Sequence, residues 1–261
     1  MSGENKIRDA ADAVKGIAEA VPVYQDTLQP AAREVGTALQ NVAKTIHIAL
    51  APISALVWGY EKVKDFVSMS VAKRLQDVPA ERITTPLPQV AGPALEALRY
   101  TGHDESLREM FAKLLATAMN SDTAAEAHPS FVDIIRQLSS DEAKICRFLK
   151  QRASYPVVNL YVGESGGRRY ALTLISKLGN EANCEFPMMI QRYLGNLSRL
   201  GLVSVHFDSH LKVELYFEVE GSVELTPYLE KITIEGHTPL FERGIIERTP
   251  FGLQFFLACI D

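Results

Sequence analysis

Cysteine is scarce in this chain of 261 residues: Cys146, Cys184 and Cys259 are the only three, far apart and odd in number. No two have the C-x-x-C spacing, so neither a zinc cage nor a disulfide framework is indicated, and reduced structural thiols are expected. Positive charge is in no excess either. The net charge is −5. Residues 1–80 balance to zero, residues 81–140 carry five basic and eight acidic groups, and residues 141–261 carry thirteen and fifteen. A general nucleic-acid binder carries a basic footprint, so DNA is not an expected partner. The opening residues, Met1–Asp9, contain no apolar core of a secretory signal, and a protein of the cytoplasmic side is expected.

Catalytic signatures are missing as well. There is no G-x-S-x-G elbow, no Walker loop, no G-x-G-x-x-G and no H-E-x-x-H among the six histidines. Gly163–Arg169 has glycines and two arginines but lacks the Lys-Ser/Thr of a phosphate loop, and it reads as a hairpin turn. His206 and His210 flank Asp208, which is either a polar turn or a weak metal site. The acid pairs Asp104-Glu105 and Asp141-Glu142 stand where helix N-termini attract carboxylates. The residues call for no catalytic group, cofactor or metal.

What the chain does have is a run of sixteen residues, Thr45–Tyr60, without a formal charge, holding the one tryptophan, Trp58. Its apolar side chains go all round a helix, and such a helix must be buried in protein or in lipid. At about 1.5 Å per residue the run reaches roughly 24 Å, short of a bilayer core of about 30 Å. It is therefore a buried, re-entrant or interfacial segment rather than a span, and Pro52 kinks or divides it. Beyond it, Val63, Phe66, Val67 and Val71 line one face of a helix that also carries Lys62, Lys64, Lys73 and Arg74. An apolar segment followed by a basic amphipathic helix is the pattern of an interfacial membrane element, while a closely packed helical bundle explains the same residues without lipid.

Periodicity divides the chain into three regions. Residues 1–78 read as helical, with the apolar segment at 45–60. Residues 79–140 begin with Pro79, Pro86, Pro88 and Pro93, which favour an extended connector over 79–93, and continue as helices. The helix over 104–119 has Asp104 as its N-cap, and a further helix starts at Ser139 or Ser140. Residues 141–261 change character. Val157–Val162 and Tyr170–Thr173 read as strands, residues 186–200 as a helix closed by Gly201, and Leu202–Phe207 with Leu211–Val219 as a hairpin. A short helix ends the chain. The expected class is α+β, mostly α, with N-terminal and central helical regions followed by a winged-helix-like C-terminal domain. The helix at 186–200 offers only Gln191, Arg192, Asn196 and Arg199 for base contacts, so protein contact or self-association is the expected use of that domain.

Several segments carry a resemblance. Pro79–Pro86, Val90–Tyr100, Leu107–Met119, His128–Ile135 and Gln137–Ala143, with Ala51–Ile53, Trp58–Val63, Leu200–Val203 and Thr249–Gly252, resemble the abortive infection alpha family of bacterial proteins over most of the chain beyond residue 30. The resemblance implies a role in anti-phage defence and brings no catalytic residues with it. The chain is similar, too, to the second component of two-gene Juk-type systems directed against jumbo phages, which implies a separate partner protein and a membrane-bounded phage compartment nearby.

Together these readings describe a non-enzymatic, abortive-infection-type effector that acts with a second defence protein and binds peripherally to an anionic membrane or phage-derived vesicle. Ile46, Ile48, Leu50, Ile53, Leu56, Val57 and Trp58 would insert, and Lys62, Lys64, Lys73 and Arg74 would meet headgroups. The alternative is a soluble adaptor or regulator that binds protein through the winged-helix-like domain.

Overall fold

The computed structural model describes residues 57–164 and 167–261. The helices expected before residue 45, and Ile46, Ile48, Leu50, Ile53 and Leu56, lie outside the described residues. Described first is helix α1 (Tyr60–Leu75), which buries Val63, Val71 and Leu75 and half-buries Phe66 and Val67, the face its spacing marks as apolar. Pro79 opens a short 3-10 turn, and Ile83 then bridges to Asn120 in extended form. Helix α2 (Pro88–Thr101) begins inside the stretch expected to be a connector. Pro88 takes the first helical position, where the missing N–H costs nothing, and the helix tolerates Pro93 in its second turn.

Helix α3 (Glu105–Met119) is the centre of the helical half. Asp104 accepts a hydrogen bond from the Leu107 amide at 3.1 Å, the N-cap its sequence position calls for. Ten of its fifteen residues are buried, so both faces meet protein. Around it pack α1, α2, α4 (Ser130–Arg136), α5 (Ser140–Gln151) and α10 (Pro250–Cys259). The Phe131 ring of α4 meets Phe255 of α10 edge-on, with centroids 5.3 Å apart, and buried Thr117 donates to the carbonyl of Ala258 at 3.0 Å. One continuous apolar core runs from Trp58 to Ile260. Helix α5 starts with a capping box: the Ser139 hydroxyl accepts from the Glu142 amide, and the Glu142 carboxylate accepts from the Ser139 amide at 2.7 Å.

The remainder is an antiparallel sheet in the order β2-β1-β4-β3. Strands β1 (Ser154–Glu164) and β2 (Gly167–Ile175) pair through irregularities near Asn159. Asn159 is buried there; its carbonyl accepts from the Leu174 amide at 2.9 Å and its amide donates to Glu242 at 2.9 Å. Helices α6 (Leu178–Glu181) and α7 (Ile190–Arg199) follow. Gly201, at φ +73°, ends α7: its amide donates to Ser198 and the Leu202 amide to Leu197, the paired bonds of a Schellman motif. The protein is thus mostly helical, with a small four-stranded antiparallel sheet in its C-terminal half.

The expected hairpin does not form. Strand β3 (Val203–His206) pairs instead with β4 (Pro239–Arg248), and residues 213–234 between them are mostly helical: a 3-10 turn (Val213–Tyr216) runs into α8 (Phe217–Glu220), and a second (Val223–Leu225) leads into α9 (Thr226–Ile234). The alternation Val213, Leu215, Phe217 imitates a strand, yet those three stay partly exposed. Tyr216 and Val219, three apart on one helical face, take the buried places against Val158. The Tyr216 hydroxyl donates to the Gly244 carbonyl at 2.9 Å and accepts from the Leu211 amide at 2.8 Å, and Arg243 grips the Glu220 carboxylate with two bonds of 2.6 and 2.9 Å. These contacts fasten the insertion to the sheet.

Asp141, in the first turn of α5, joins the two halves. Its side chain is 5% exposed, and its carboxylate accepts from the amides of Glu185 (2.7 Å) and Phe186 (2.9 Å), the Tyr193 hydroxyl (2.9 Å) and Lys144 (2.9 Å). Burial alone would raise its pKa, but the two amides, Lys144 and Tyr193 outweigh burial and hold it at about 2. A depressed carboxylate stabilises the fold above its unfolded pKa of about 3.9, and loses that contribution as pH falls through the folded value.

Two outcomes are expected. Asp141→Asn destabilises the protein by roughly 2 kcal/mol at pH 7 in urea denaturation, and the gap from wild type closes between about pH 4 and pH 2. A Cβ at Gly252 would lie inside van der Waals contact of the Leu202 carbonyl, so Gly252→Ala lowers stability by about 1–3 kcal/mol, read from the same denaturation midpoint.

Candidate functional site

Of the residues expected to meet lipid, Val57 is half-buried and Trp58 is buried. The Trp58 amide donates to the Arg99 carbonyl at 2.8 Å, and its ring stands edge-on to Phe66 with centroids 5.6 Å apart. The ring lies against Gly102, where any Cβ would collide with it. A side chain would force the tryptophan out, so glycine is required there by close approach rather than by backbone angle. Lys62 lies over the tryptophan face, 4.6 Å from a ring centroid. Lys64 is exposed, 3.6 Å from Glu61, and Lys73 is exposed.

Arg74 is engaged inside the fold. It donates to Glu109 at 2.8 Å, to Asp261 through both Nε and Nη2, and to the Ser70 carbonyl at 3.0 Å. Burial would raise the Asp261 carboxyl, but Arg74 holds it below the ordinary value. Toward the other end of α1, a groove of roughly 610 Å³ between α1 and α2 is lined by Tyr60, Val63, Val67 and Leu95, together with Lys64, Glu96 and Arg99. Among the described residues no helix is long and apolar enough to cross a membrane.

A second surface had no signal in the periodicity. The helix expected over 186–200 begins only at Ile190, and the residues before it form a tight turn through Pro187–Met189. Phe186, Met188 and Met189 are 58%, 66% and 42% exposed. Three neighbouring large apolar side chains in water are unusual on a protein face that has no partner. Nor is the turn loose. Asp141 holds its first amides, and Gly179 of α6 approaches so closely that a Cβ there would lie 2.8 Å from the Pro187 carbonyl oxygen. Apolar side chains are thereby held outward on a fixed backbone. The sequence marks Asp141 only as a helix-start acid, and the run Cys184–Met189 follows neither a helical nor a strand period.

The thiols stay protonated. Burial raises Cys146 and Cys259, and burial with the Asp141 charge pushes Cys184 up to about 11. Among the described residues no group of three or more His, Cys, Asp or Glu side chains is arranged to hold a metal. The described surface offers an apolar turn on a rigid mount and a groove next to a buried tryptophan.

No curated protein matches the chain. Among solved structures, it is similar to an uncharacterised protein from the hydrocarbon-degrading marine bacterium Alcanivorax borkumensis SK2, with 21% identity over 52% of this chain and 93% of that one, at a TM-score of 0.36. The profile of the family described as abortive infection alpha matches residues 59–259, which takes in every described helix and all four strands. The chain belongs to the abortive infection alpha family.

Proposed function

We propose that this protein serves anti-phage defence of the abortive-infection type by docking a second protein on the turn Phe186–Met189, without chemistry of its own. Family membership supports the defence role. The observation that carries the docking reading is the Asp141 clamp, which fixes an exposed apolar turn in advance. A backbone already ordered loses less conformational freedom on binding, and methionines adapt to the partner they meet. The turn leads into α7, which is followed by β3 and, after the insertion, β4, with β1 completing the sheet order β1-β4-β3. That order supports a winged-helix-like reading of this half, used for protein contact. The partner is a separately encoded defence protein; if it were a second copy of this chain, light scattering would show a dimer.

A second reading places α1 at an anionic membrane surface. It is favoured by the uncharged run that leads into Trp58, and by the exposed Tyr60, Lys64 and Lys73. It requires Trp58 to leave its seat against Gly102.

Each reading has its own outcome. The double substitution Met188→Glu, Met189→Glu alters only exposed side chains and leaves the melting temperature within about 2–4 °C of wild type. Protection against a phage that the wild-type protein restricts falls at least roughly tenfold, as expected when the centre of an interface is lost, and undiminished plating protection would sink the docking reading. For the membrane reading, wild-type protein floats with anionic liposomes and the double reversal Lys64→Glu, Lys73→Glu does not, since each basic residue near such a surface contributes about 1 kcal/mol. Wild-type protein that stays at the bottom of the gradient removes that reading for the untriggered protein.

A further inference from the structure

The helical insertion does not lie flush on the sheet. Between it and β2, α6 and the start of α7 remains a cleft of roughly 220 Å³. Its walls include Leu172 and Ile175 of β2 and Val219 and Leu225 of the insertion. Ser222 of the insertion and Lys177, between β2 and α6, both line it. Ser222 is 9% exposed and stands at the N-cap of a 3-10 turn, Val223–Leu225, without capping it. Its hydroxyl makes no hydrogen bond among the described residues, and no buried side-chain polar atom there is sealed off without a partner, so the hydroxyl opens onto the cleft. Lys177, half-buried, has no ion pair among the described residues.

We propose that this cleft is a binding site for an uncharged one- or two-ring heterocycle that carries a carbonyl oxygen. Size selects the rings: a dry cavity of about 150 Å³ holds benzene, so roughly 220 Å³ takes a substituted ring or two small fused ones. The apolar walls supply the contact area expected of a small-molecule site, with a few convergent polar groups to orient the guest. Charge selects a neutral guest, because Lys177 is opposed by Glu224 on the same lining. Hydrogen bonding selects the carbonyl. The ammonium group of Lys177 can only donate, and the Ser222 hydroxyl has a proton with no internal acceptor. A ring carbonyl between them accepts from both. Pro187 and Met188 of the docking turn lend part of the cleft's lining, but the test reads ring binding to the isolated chain and does not depend on the partner-docking reading.

The experiment titrates the full chain with uracil and hypoxanthine, and with indole as a ring that lacks an acceptor oxygen, by calorimetry or saturation-transfer NMR. One saturable site for a carbonyl ring is expected, with indole weaker. Ser222→Ala weakens the carbonyl ring by about fivefold or more, and Ser222→Thr, which keeps the hydroxyl, stays near wild type. Lys177→Met breaks no ion pair and so keeps the fold; it also weakens the carbonyl rings while leaving indole unchanged, and it decides the matter if Ser222→Ala does not fold. Any of three results overturns the site: no saturable binding of either carbonyl ring, indole bound as tightly as they are, or a folded Ser222→Ala or Lys177→Met protein with wild-type affinity for them.

Discussion

Asp141 sits at the head of α5 with its carboxylate out of water, a position tolerable only because four donors converge on it. Lys144 is local, but the amides of Glu185 and Phe186 and the hydroxyl of Tyr193 arrive from beyond the β1–β2 hairpin. The helical half and the sheet half are therefore joined by a polar contact as well as by a shared apolar core. The site depends on the same contact. Without it, the amides of Glu185 and Phe186 would lose their acceptor, and the backbone entering the turn would be held only by the Cys184 amide on the Gly179 carbonyl and the Met189 amide on the Phe186 carbonyl.

The two ends of α1 show how differently aromatic and charged residues are placed. Trp58 is set by shape: Gly102 leaves a space that only a hydrogen on the α-carbon allows, and the indole fills it. Arg74 is set by charge: Glu109 and Asp261 supply two carboxylates to a planar group that can bind both. Between these anchors the helix keeps Lys64 and Lys73 in water. The basic character read from the sequence is genuine, but one of its members is spent on holding the fold. Composition along a helix cannot separate a cation facing solvent from one facing a carboxylate more than thirty residues away.

What was legible was local. Asp104, Ser139 and Gly201 act through bonds to residues at most five positions away, and each stands at a true helix end. The strands β1 and β2 were legible from their β-branched and aromatic runs. Residues 211–219 were misread because their alternation is compatible with a strand, and the deciding contacts, Tyr216 to Gly244 and Arg243 to Glu220, span more than twenty residues. Pro88 was read as breaking a helix when it begins one. The candidate turn was illegible for a related reason. Nothing in Phe186, Met188 and Met189 says that they face water; their exposure is decided by a carboxylate more than forty positions earlier.

The insertion between β3 and β4 has a consequence for how such a chain can diverge. Strand β4 is held along its length by β1, so the sheet does not rely on a short turn to bring β3 and β4 together. The entropy of closing a loop grows only with the logarithm of its length, so doubling the insertion would add about 0.6 kcal/mol. Loop closure therefore sets little limit on the length of the segment, so long as Tyr216, Val219 and Ile232 still cover Val158, Leu160 and Val162. In that sense residues 207–238 form a cassette, whose outer turns can vary while its buried face and the sheet beneath it stay the same.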